Sequence, residues 1–210
     1  MKTTILLYDG MTALDAVGPY EVLSRFPGNE VLFVADRAGP VRTDTGYLTL
    51  VADASLDEAP AADIVLVPGG FAPPLRPGPV HEWLRAVDAT TTWTTSVCVG
   101  SLILGAAGLL AGRRATSHWM TLDNLTEYGA APTAERVVFD GKYATAAGVS
   151  AGIDLALTLL GEIAGPEAAM AVQLGIEYDP APPFEAGSPA KAPDPIVMFL
   201  RENRDLVVRL

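Results

Sequence analysis

The sequence is poor in the residues that most often mark disulfides, metal sites and nucleic-acid contacts. It has one cysteine and two histidines among 210 residues, and 25 aspartates and glutamates outnumber 14 lysines and arginines, giving a formal net charge of −11. A lone cysteine cannot form an internal disulfide, so stability must come from packing, and a reducing compartment is compatible. The negative charge disfavours phosphate backbones, so no nucleic-acid partner is expected. No spacing typical of a zinc or calcium site occurs, so no metal is expected.

Long hydrophobic runs are also missing. Half of the residues are apolar, but the apolar runs are about four to eight residues long, too short to cross a bilayer, so no membrane association is expected. The first eight residues, MKTTILLY, resemble a first strand and lack the apolar region and cleavage site of a signal peptide. A cytoplasmic location is therefore the expectation.

Short strand candidates alternate with helical segments along the chain. This alternation predicts an α/β fold with a mostly parallel sheet sandwiched by helices, and the length suits a single domain over residues 1–210. A short hairpin or edge strand between Val41 and Ala52, and a hairpin turning at Asp140-Gly141, would add antiparallel strands. The proline-rich residues 179–195 are expected to run extended along a surface. The strand candidates are Thr4–Leu7, Val31–Ala35, Ile64–Val67, Thr91–Val97 and Tyr143–Ala147.

Helix boundaries follow from glycine, proline and serine. A helix should begin near Gly18, because Pro19 suits a first turn better than a helix interior. The apolar stretch Gly100–Leu110 predicts a buried helix. Two more helices are expected near the C-terminal end, one capped by Ser150 and running to Ile163, the other following Gly165-Pro166 and ending near Tyr178.

Cys98 stands where the strand candidate 91–97 gives way to Val99-Gly100-Ser101 and a helical stretch. A side chain on a sharp strand-to-helix turn is pushed out of the sheet, and the positive end of the following helix favours a thiolate. This context predicts a nucleophile elbow. The alternative is that Cys98 is a small buried apolar residue.

Three backbone N–H groups are candidates for stabilising a developing negative charge near Cys98. Gly69 and Gly70 follow the buried strand 64–67, and in an open α/β sheet the carboxyl ends of strands face the ligand crevice. Together with the N–H of Val99, they would form an oxyanion-hole-like pocket. A plain strand-ending turn explains Pro68-Gly69-Gly70 equally well.

Candidate acids and bases are few. Asp15 follows the first strand at the same edge, where desolvation would oppose its ionisation and suit it to hold and pass a proton; a turn or helix-capping role is the alternative. Glu21 competes for this role but resembles a solvated helix-face charge. His81 is expected at the exposed start of a helix, with a structural role. His118, beside Trp119, either lines a substrate pocket or is a structural histidine.

With these positions identified, the chain resembles the ThiJ/PfpI superfamily and, within it, the isonitrile hydratases. The resemblance covers nearly the whole chain. It is carried by Leu14-Asp15, Gly18-Pro19, Glu21-Val22-Leu23, Val67-Pro68-Gly69-Gly70, Thr95-Ser96-Val97-Cys98, Gly100-Ser101, Leu104–Leu110, Gly112–Thr116, His118-Trp119, Glu135–Val138, Ser150–Asp154, Glu177-Tyr178, Pro182–Phe184 and Ala186–Pro189.

This resemblance implies a flavodoxin-like sheet, Cys98 as the nucleophile, Asp15 as the acid facing it, a homodimer and no cofactor. The implied reaction adds water to an isocyanide through a Cys98 thioimidate, giving an N-substituted formamide. One position departs from the family pattern, because the residue after the cysteine is Val99 where the hydratases usually carry threonine.

Two other functions fit the same residues. Several of the motifs also occur in the amidase-like sensor domains of transcription regulators, so a non-catalytic small-molecule binding module is one alternative, although no basic helix-turn-helix segment accompanies the domain. A glyoxalase-like or oxidation-sensing thiol protein acting through Cys98 is the other.

Overall fold

The computed structural model of the protein describes residues 1–210. Its eleven strands are β1 Lys2–Leu6, β2 Glu30–Ala35, β3 Gly39–Arg42, β4 Thr49–Ala52, β5 Ala54–Ser55, β6 Ile64–Val67, β7 Trp93–Val97, β8 Arg114–Ala115, β9 Ala131–Pro132, β10 Val137–Asp140 and β11 Tyr143–Ala146. Its six α-helices are α1 Ala13–Leu23, α2 Pro79–Asp88, α3 Gly100–Ala106, α4 Ala151–Ala164, α5 Pro166–Gly175 and α6 Asp194–Glu202.

A seven-stranded sheet with the spatial order β10-β11-β7-β6-β1-β2-β5 forms the centre of the molecule. All neighbouring pairs are parallel except β10 with β11. Helices flank this sheet, so the predicted α/β class with a mostly parallel sheet is confirmed. Strand β6 reads Ile-Val-Leu-Val and is buried at every position, as expected of a central strand in such a sheet.

Both antiparallel additions are present. Strands β3 and β4 pair as a hairpin. Strands β10 and β11 are joined at Asp140-Gly141, where Gly141 has φ 61°, a left-handed conformation that glycine adopts without steric cost.

The strand order reverses between β1 and β6. The chain moves outward from β1 to β2 on one side and from β6 to β7 on the other. Because these strands are parallel, the carboxyl ends of β1, β6 and β7 meet at one edge, and Asp15, Gly69 and Cys98 all follow those ends. A reversal of this kind opens the crevice in which α/β proteins bind ligands.

Helix α1 begins at Ala13, five residues before the predicted start, and Pro19 lies inside it. Pro19 has no N–H to donate to the carbonyl of Asp15, so the helix loses one internal bond. Close packing explains why the chain accepts this loss: a Cβ on Gly18 would lie 3.0 Å from Ile153 Cγ1, and one on Gly152 would lie 3.1 Å from Pro19 Cγ. Here the contact between α1 and α4 prevails over local helix preference.

Other boundaries also differ from the expectation. Helix α3 stops at Ala106, and the chain turns through Gly108 with φ 82°. Ser150 is at the N-cap of α4, but its hydroxyl accepts a hydrogen bond from Arg136 and caps no backbone N–H. In the proline-rich segment, residues 179–193 form no helix or strand, and α6 begins at Asp194. None of the helices has both the length and the hydrophobicity needed to cross a membrane.

Candidate active site

Cys98 occupies a strained turn between β7 and α3. Its φ of 59° is in the left-handed region, which costs a non-glycine residue about 1–2 kcal/mol. The surrounding structure holds it there: its N–H donates to the carbonyls of Ala146 and Ala147, and its carbonyl accepts hydrogen bonds from the hydroxyls of Ser101 and Ser117. Four hydrogen bonds therefore fix the backbone of Cys98. This is the geometry of a nucleophile elbow.

Close backbone approach explains the glycine two residues later. A Cβ on Gly100 would lie 2.2 Å from the carbonyl oxygen of Val67, so the first turn of α3 can press against the end of β6 only without a side chain. The contact brings the base of the elbow against the 68–71 turn that follows β6. The Gly100 contact therefore holds Cys98 close to Gly69, the second residue of that turn.

Asp15 is fully buried in the first turn of α1. Its Oδ2 accepts a hydrogen bond of 2.8 Å from the Gly69 N–H, while Oδ1 accepts no N–H or O–H bond. Burial raises the pKa of Asp15 to about 8, against the opposing effect of the bonds from Gly69 and the Cys98 thiol. Asp15 is therefore mainly a neutral carboxylic acid at pH 7, and the helix-capping alternative does not describe it.

The thiol of Cys98 is also buried, with 6% of the residue exposed. Burial, and next the charge of Asp15, raise the pKa of Cys98 well above its usual value, although the N–H groups of Val99 and Val149 point at the sulfur and lower it. The expectation that the helix end would favour a thiolate is thus outweighed. The Asp15–Cys98 pair holds both of its protons at neutral pH.

The three candidate oxyanion donors have different roles. The sequence predicts that the Gly69 and Val99 N–H groups are both free for an oxyanion. Instead, the Gly69 N–H is bound to Asp15, and the Val99 N–H faces the Cys98 sulfur. The Gly70 N–H has no acceptor in the protein. Gly69 cannot carry a side chain, since its Cβ would lie 2.8 Å from both Asp15 Oδ2 and Cys98 Cβ. The sequence correctly indicated a glycine turn at this place, but the Gly69 N–H donates to the Asp15 carboxyl and is not left for an oxyanion.

His118 and Trp119 directly follow Ser117, whose hydroxyl binds the Cys98 carbonyl. His118 is 8% exposed, and burial together with the charge of Arg204 lowers its pKa to about 4, so the ring is neutral at pH 7. Its Nδ1 accepts the Met120 N–H, which leaves the proton on Nε2. The ring packs against Gly148, where a Cβ would lie 2.5 Å from His118 Cδ2. His118 thus supports the loop before Val149, and Trp119 is half-buried beside it.

The remaining candidates lie outside this cluster. The side chain of Glu21 is 46% exposed and forms an ion pair with Arg25 at 2.5 Å, as expected of a solvated helix-face charge. His81 was expected at an exposed helix start but is only 1% exposed, and neither ring nitrogen has a hydrogen-bond partner. Helix α2 turns this residue inward, and burial lowers its pKa. No group of three histidine, cysteine, aspartate or glutamate side chains could hold a metal ion.

Sequence reasoning missed two site residues. Ser117 holds the Cys98 carbonyl from a distant part of the chain, and nothing in its local sequence indicates this contact. The hydroxyl of Tyr8 donates a hydrogen bond to the carbonyl of Pro68 in the 68–71 turn. Its position just after the first strand gave the same signal that identified Asp15, because side chains at that edge face the crevice.

An elbow cysteine and a buried acid at a strand-order reversal define the class of protein. Residues 1–162 match the DJ-1/PfpI family, and the chain belongs to that family. A ThiJ/PfpI family protein from Pseudomonas syringae shares the fold with a TM-score of 0.93 and 39% identity, over 96% of this chain and 85% of that one.

The names of two relatives bear on function. The isonitrile hydratase of Pseudomonas putida is 44% identical over 205 residues, which cover 97% of this chain and 90% of the relative. The HTH-type transcriptional regulator CdhR of Pseudomonas aeruginosa is 34% identical over 173 residues, 80% of this chain but about half of the regulator, 51%.

The raised pKa of Asp15 predicts a pH-dependent gain in stability for Asp15→Asn. A group whose pKa rises on folding stabilises the fold fully below its unfolded value, and this contribution is lost as the pH rises through the folded value, here from 3.8 to about 8. Asn keeps the acceptor for Gly69 but never ionises. We expect its advantage in unfolding free energy to grow by a few kcal/mol between pH 5 and pH 8 in urea titrations.

Glu21→Gln is the matched control, because it also replaces a carboxylate on α1 but at a half-exposed position on the helix surface. Its unfolding free energy relative to wild type should change little over the same pH range. An Asp15→Asn difference that stays constant from pH 5 to pH 8 would show that the carboxyl is ionised in the folded protein throughout.

Proposed function

We propose that the protein is an isonitrile hydratase, a cofactor-free lyase that adds water to an isocyanide to give an N-substituted formamide. The observation that carries the proposal is the neutral carboxylic acid of Asp15 facing the thiol of Cys98. The 44% identity to the Pseudomonas putida isonitrile hydratase over nearly the whole chain supports the same reaction. An isocyanide carbon needs both a proton and a nucleophile, and this pair supplies both.

In the first step, Asp15 gives its proton to the terminal carbon of R–N≡C while the Cys98 sulfur bonds to the same carbon. The thiol proton passes to the Asp15 carboxylate, so the acid is restored. The net change is addition of S–H across the carbon, which leaves a thioimidate, R–N=CH–S–Cys98. Because both protons are already in the site at neutral pH, no charged group has to be created in the buried pocket beforehand.

In the second step, water attacks the thioimidate carbon. One water proton reaches the substrate nitrogen, the C–S bond breaks, and the sulfur recovers a proton through Asp15. The product is R–NH–CHO, and the enzyme returns to its starting state. The Gly70 N–H, which has no acceptor in the protein, is the donor available for negative charge on the substrate, and the Val99 N–H at the sulfur stabilises the departing thiolate.

The burial of Cys98 argues against the oxidation-sensing alternative. Sensor cysteines are accessible and ionise easily, whereas this thiol is 6% exposed and its pKa is raised. The binding-module alternative draws support from the 34% identity to the CdhR regulator. A turnover assay separates binding from catalysis.

The direct test is to incubate a simple alkyl isocyanide with wild type and two variants and to measure the formamide that forms. Cys98→Ala should abolish turnover while the fold is kept, because the sulfur forms the only covalent bond to the substrate. Cys98→Ser should be nearly as inactive, since no histidine base is available to activate a hydroxyl. Appreciable turnover by either variant, or none by wild type, would contradict the proposal.

We also propose a homodimer. Helix α5 has no buried residue, and several large apolar side chains stay exposed on α5, α6 and the segment between them. They are Met170, Leu174, Phe184, Ile196, Met198 and Phe199. A single chain leaves these side chains in water, and a self-complementary contact would cover those that share a face. Sedimentation equilibrium should give twice the chain mass of 22.0 kDa at micromolar concentration; a monomer would refute the dimer.

The cytoplasmic location stays a prediction.

A further inference from the structure

Tyr8 joins the ends of the two central strands. It lies two residues after β1, and its hydroxyl donates a 3.1 Å hydrogen bond to the carbonyl of Pro68, the first residue after β6. The side chain therefore spans the point at which the strand order reverses. The residue as a whole is half-buried.

The 68–71 turn is held to the 8–12 loop by a short series of bonds. Backbone bonds of 2.9 Å run from the Thr12 N–H to the Gly69 carbonyl and from the Phe71 N–H to the Gly10 carbonyl. Only two side chains hydrogen-bond to the turn, those of Tyr8 and Asp15. Packing there is tight, since a Cβ on Gly70 would lie 2.9 Å from the Tyr8 hydroxyl.

The two side-chain bonds are adjacent along the turn. Tyr8 holds the carbonyl of Pro68, and the next peptide N–H, that of Gly69, donates to Asp15 Oδ2. Both groups belong to one peptide unit, which is planar and moves as a body. An anchor on its oxygen therefore fixes the direction in which its N–H points.

We propose that Tyr8 is a positioning residue of the active site, whose hydroxyl orients the Pro68–Gly69 peptide so that the Gly69 N–H stays on the carboxyl of Asp15. The proposal deepens the hydratase function and, for its effect on turnover, rests on it. Asp15 must present its proton to the substrate carbon in one geometry, and the Gly69 bond is the only N–H or O–H bond that holds it. Displacing that bond would misplace the acid.

The surroundings of Tyr8 keep its hydroxyl in the donating state. Three acidic groups face it from different elements: Asp15 on α1, Cys98 at the elbow, and Asp44 between β3 and β4. Burial and these groups raise the pKa of Tyr8 well above 10.0. Asp44 is fixed in turn by the Thr12 hydroxyl at 2.6 Å. Tyr8→Phe therefore removes one O–H donor and no charge.

The test is Tyr8→Phe with isocyanide as substrate. We expect kcat to fall about tenfold with KM changed less than about twofold, since the lost bond orients the acid and touches no substrate. Loss of the Gly69 bond should raise the pKa of Asp15 further, so the alkaline fall in kcat should move up by about half to one pH unit. Tyr20→Phe is the control, because its hydroxyl makes no hydrogen bond and its ring packs on Phe33 at 5.4 Å, and it should match wild type.

A second readout needs no substrate. The carboxyl-carbon NMR signal of Asp15, assigned by its loss in Asp15→Asn, should titrate at higher pH in Tyr8→Phe than in wild type or Tyr20→Phe. Replacing Tyr8 by 4-aminophenylalanine restores a ring donor and should restore both the titration midpoint and kcat, which separates a lost hydrogen bond from general damage to the fold.

The outcomes are distinguishable. An unchanged Asp15 midpoint in Tyr8→Phe, or a shift that 4-aminophenylalanine fails to reverse, would overturn the role of Tyr8. If the midpoint shifts as expected but wild type hydrates no isocyanide, the positioning role stands and the hydratase function fails.

Discussion

Desolvation of the Asp15 carboxyl determines the chemical state of the site. A fully buried acid that accepts one backbone N–H bond is held protonated near neutral pH, and its neighbour Cys98 keeps its proton for the same reason. The two groups must be considered as one titrating pair, because each enters the pKa of the other. In the proposed reaction, a pair that carries two protons and no charge adds a thiol to an isocyanide without first separating charge in a buried pocket.

This arrangement depends on how closely backbone segments approach one another at the sheet edge. Gly69 and Gly100 permit contacts that a single methyl group would block, and Cys98 accepts a strained φ of 59° to present its side chain there. Both the strain and the buried acid cost stability, and the packing of the central sheet must offset that cost. The strained turn at Cys98 and the buried Asp15 are therefore features that the site needs and that the fold could exist without.

Most of the strands, the hairpin turn and the position of Cys98 could be predicted from the sequence because their signals were local. The buried run Ile64–Val67 and the turn at Asp140-Gly141 report their own structure, and Cys98 stands in a strand-to-helix context that points to an elbow. The start of α1 could not be found locally, since Pro19 is accommodated by Gly152, more than a hundred residues away. His81 lies three residues before Leu84 and six before Val87, which is the spacing of the buried face of α2, so its burial had a local signal. Nothing near Ser117, by contrast, indicated its bond to Cys98.

Protonation was the least predictable property. Local sequence placed Cys98 at a helix end, where the dipole favours a thiolate, but the three-dimensional burial of both groups outweighs that dipole. The pH dependence of kcat is the most direct test of whether the proposed hydration uses a neutral Asp15–Cys98 pair. A neutral pair should give a plateau in kcat around neutral pH and a fall above about pH 8, as Asp15 loses its proton. A kcat that rises steadily from pH 7 to pH 10, following formation of the thiolate, would contradict it.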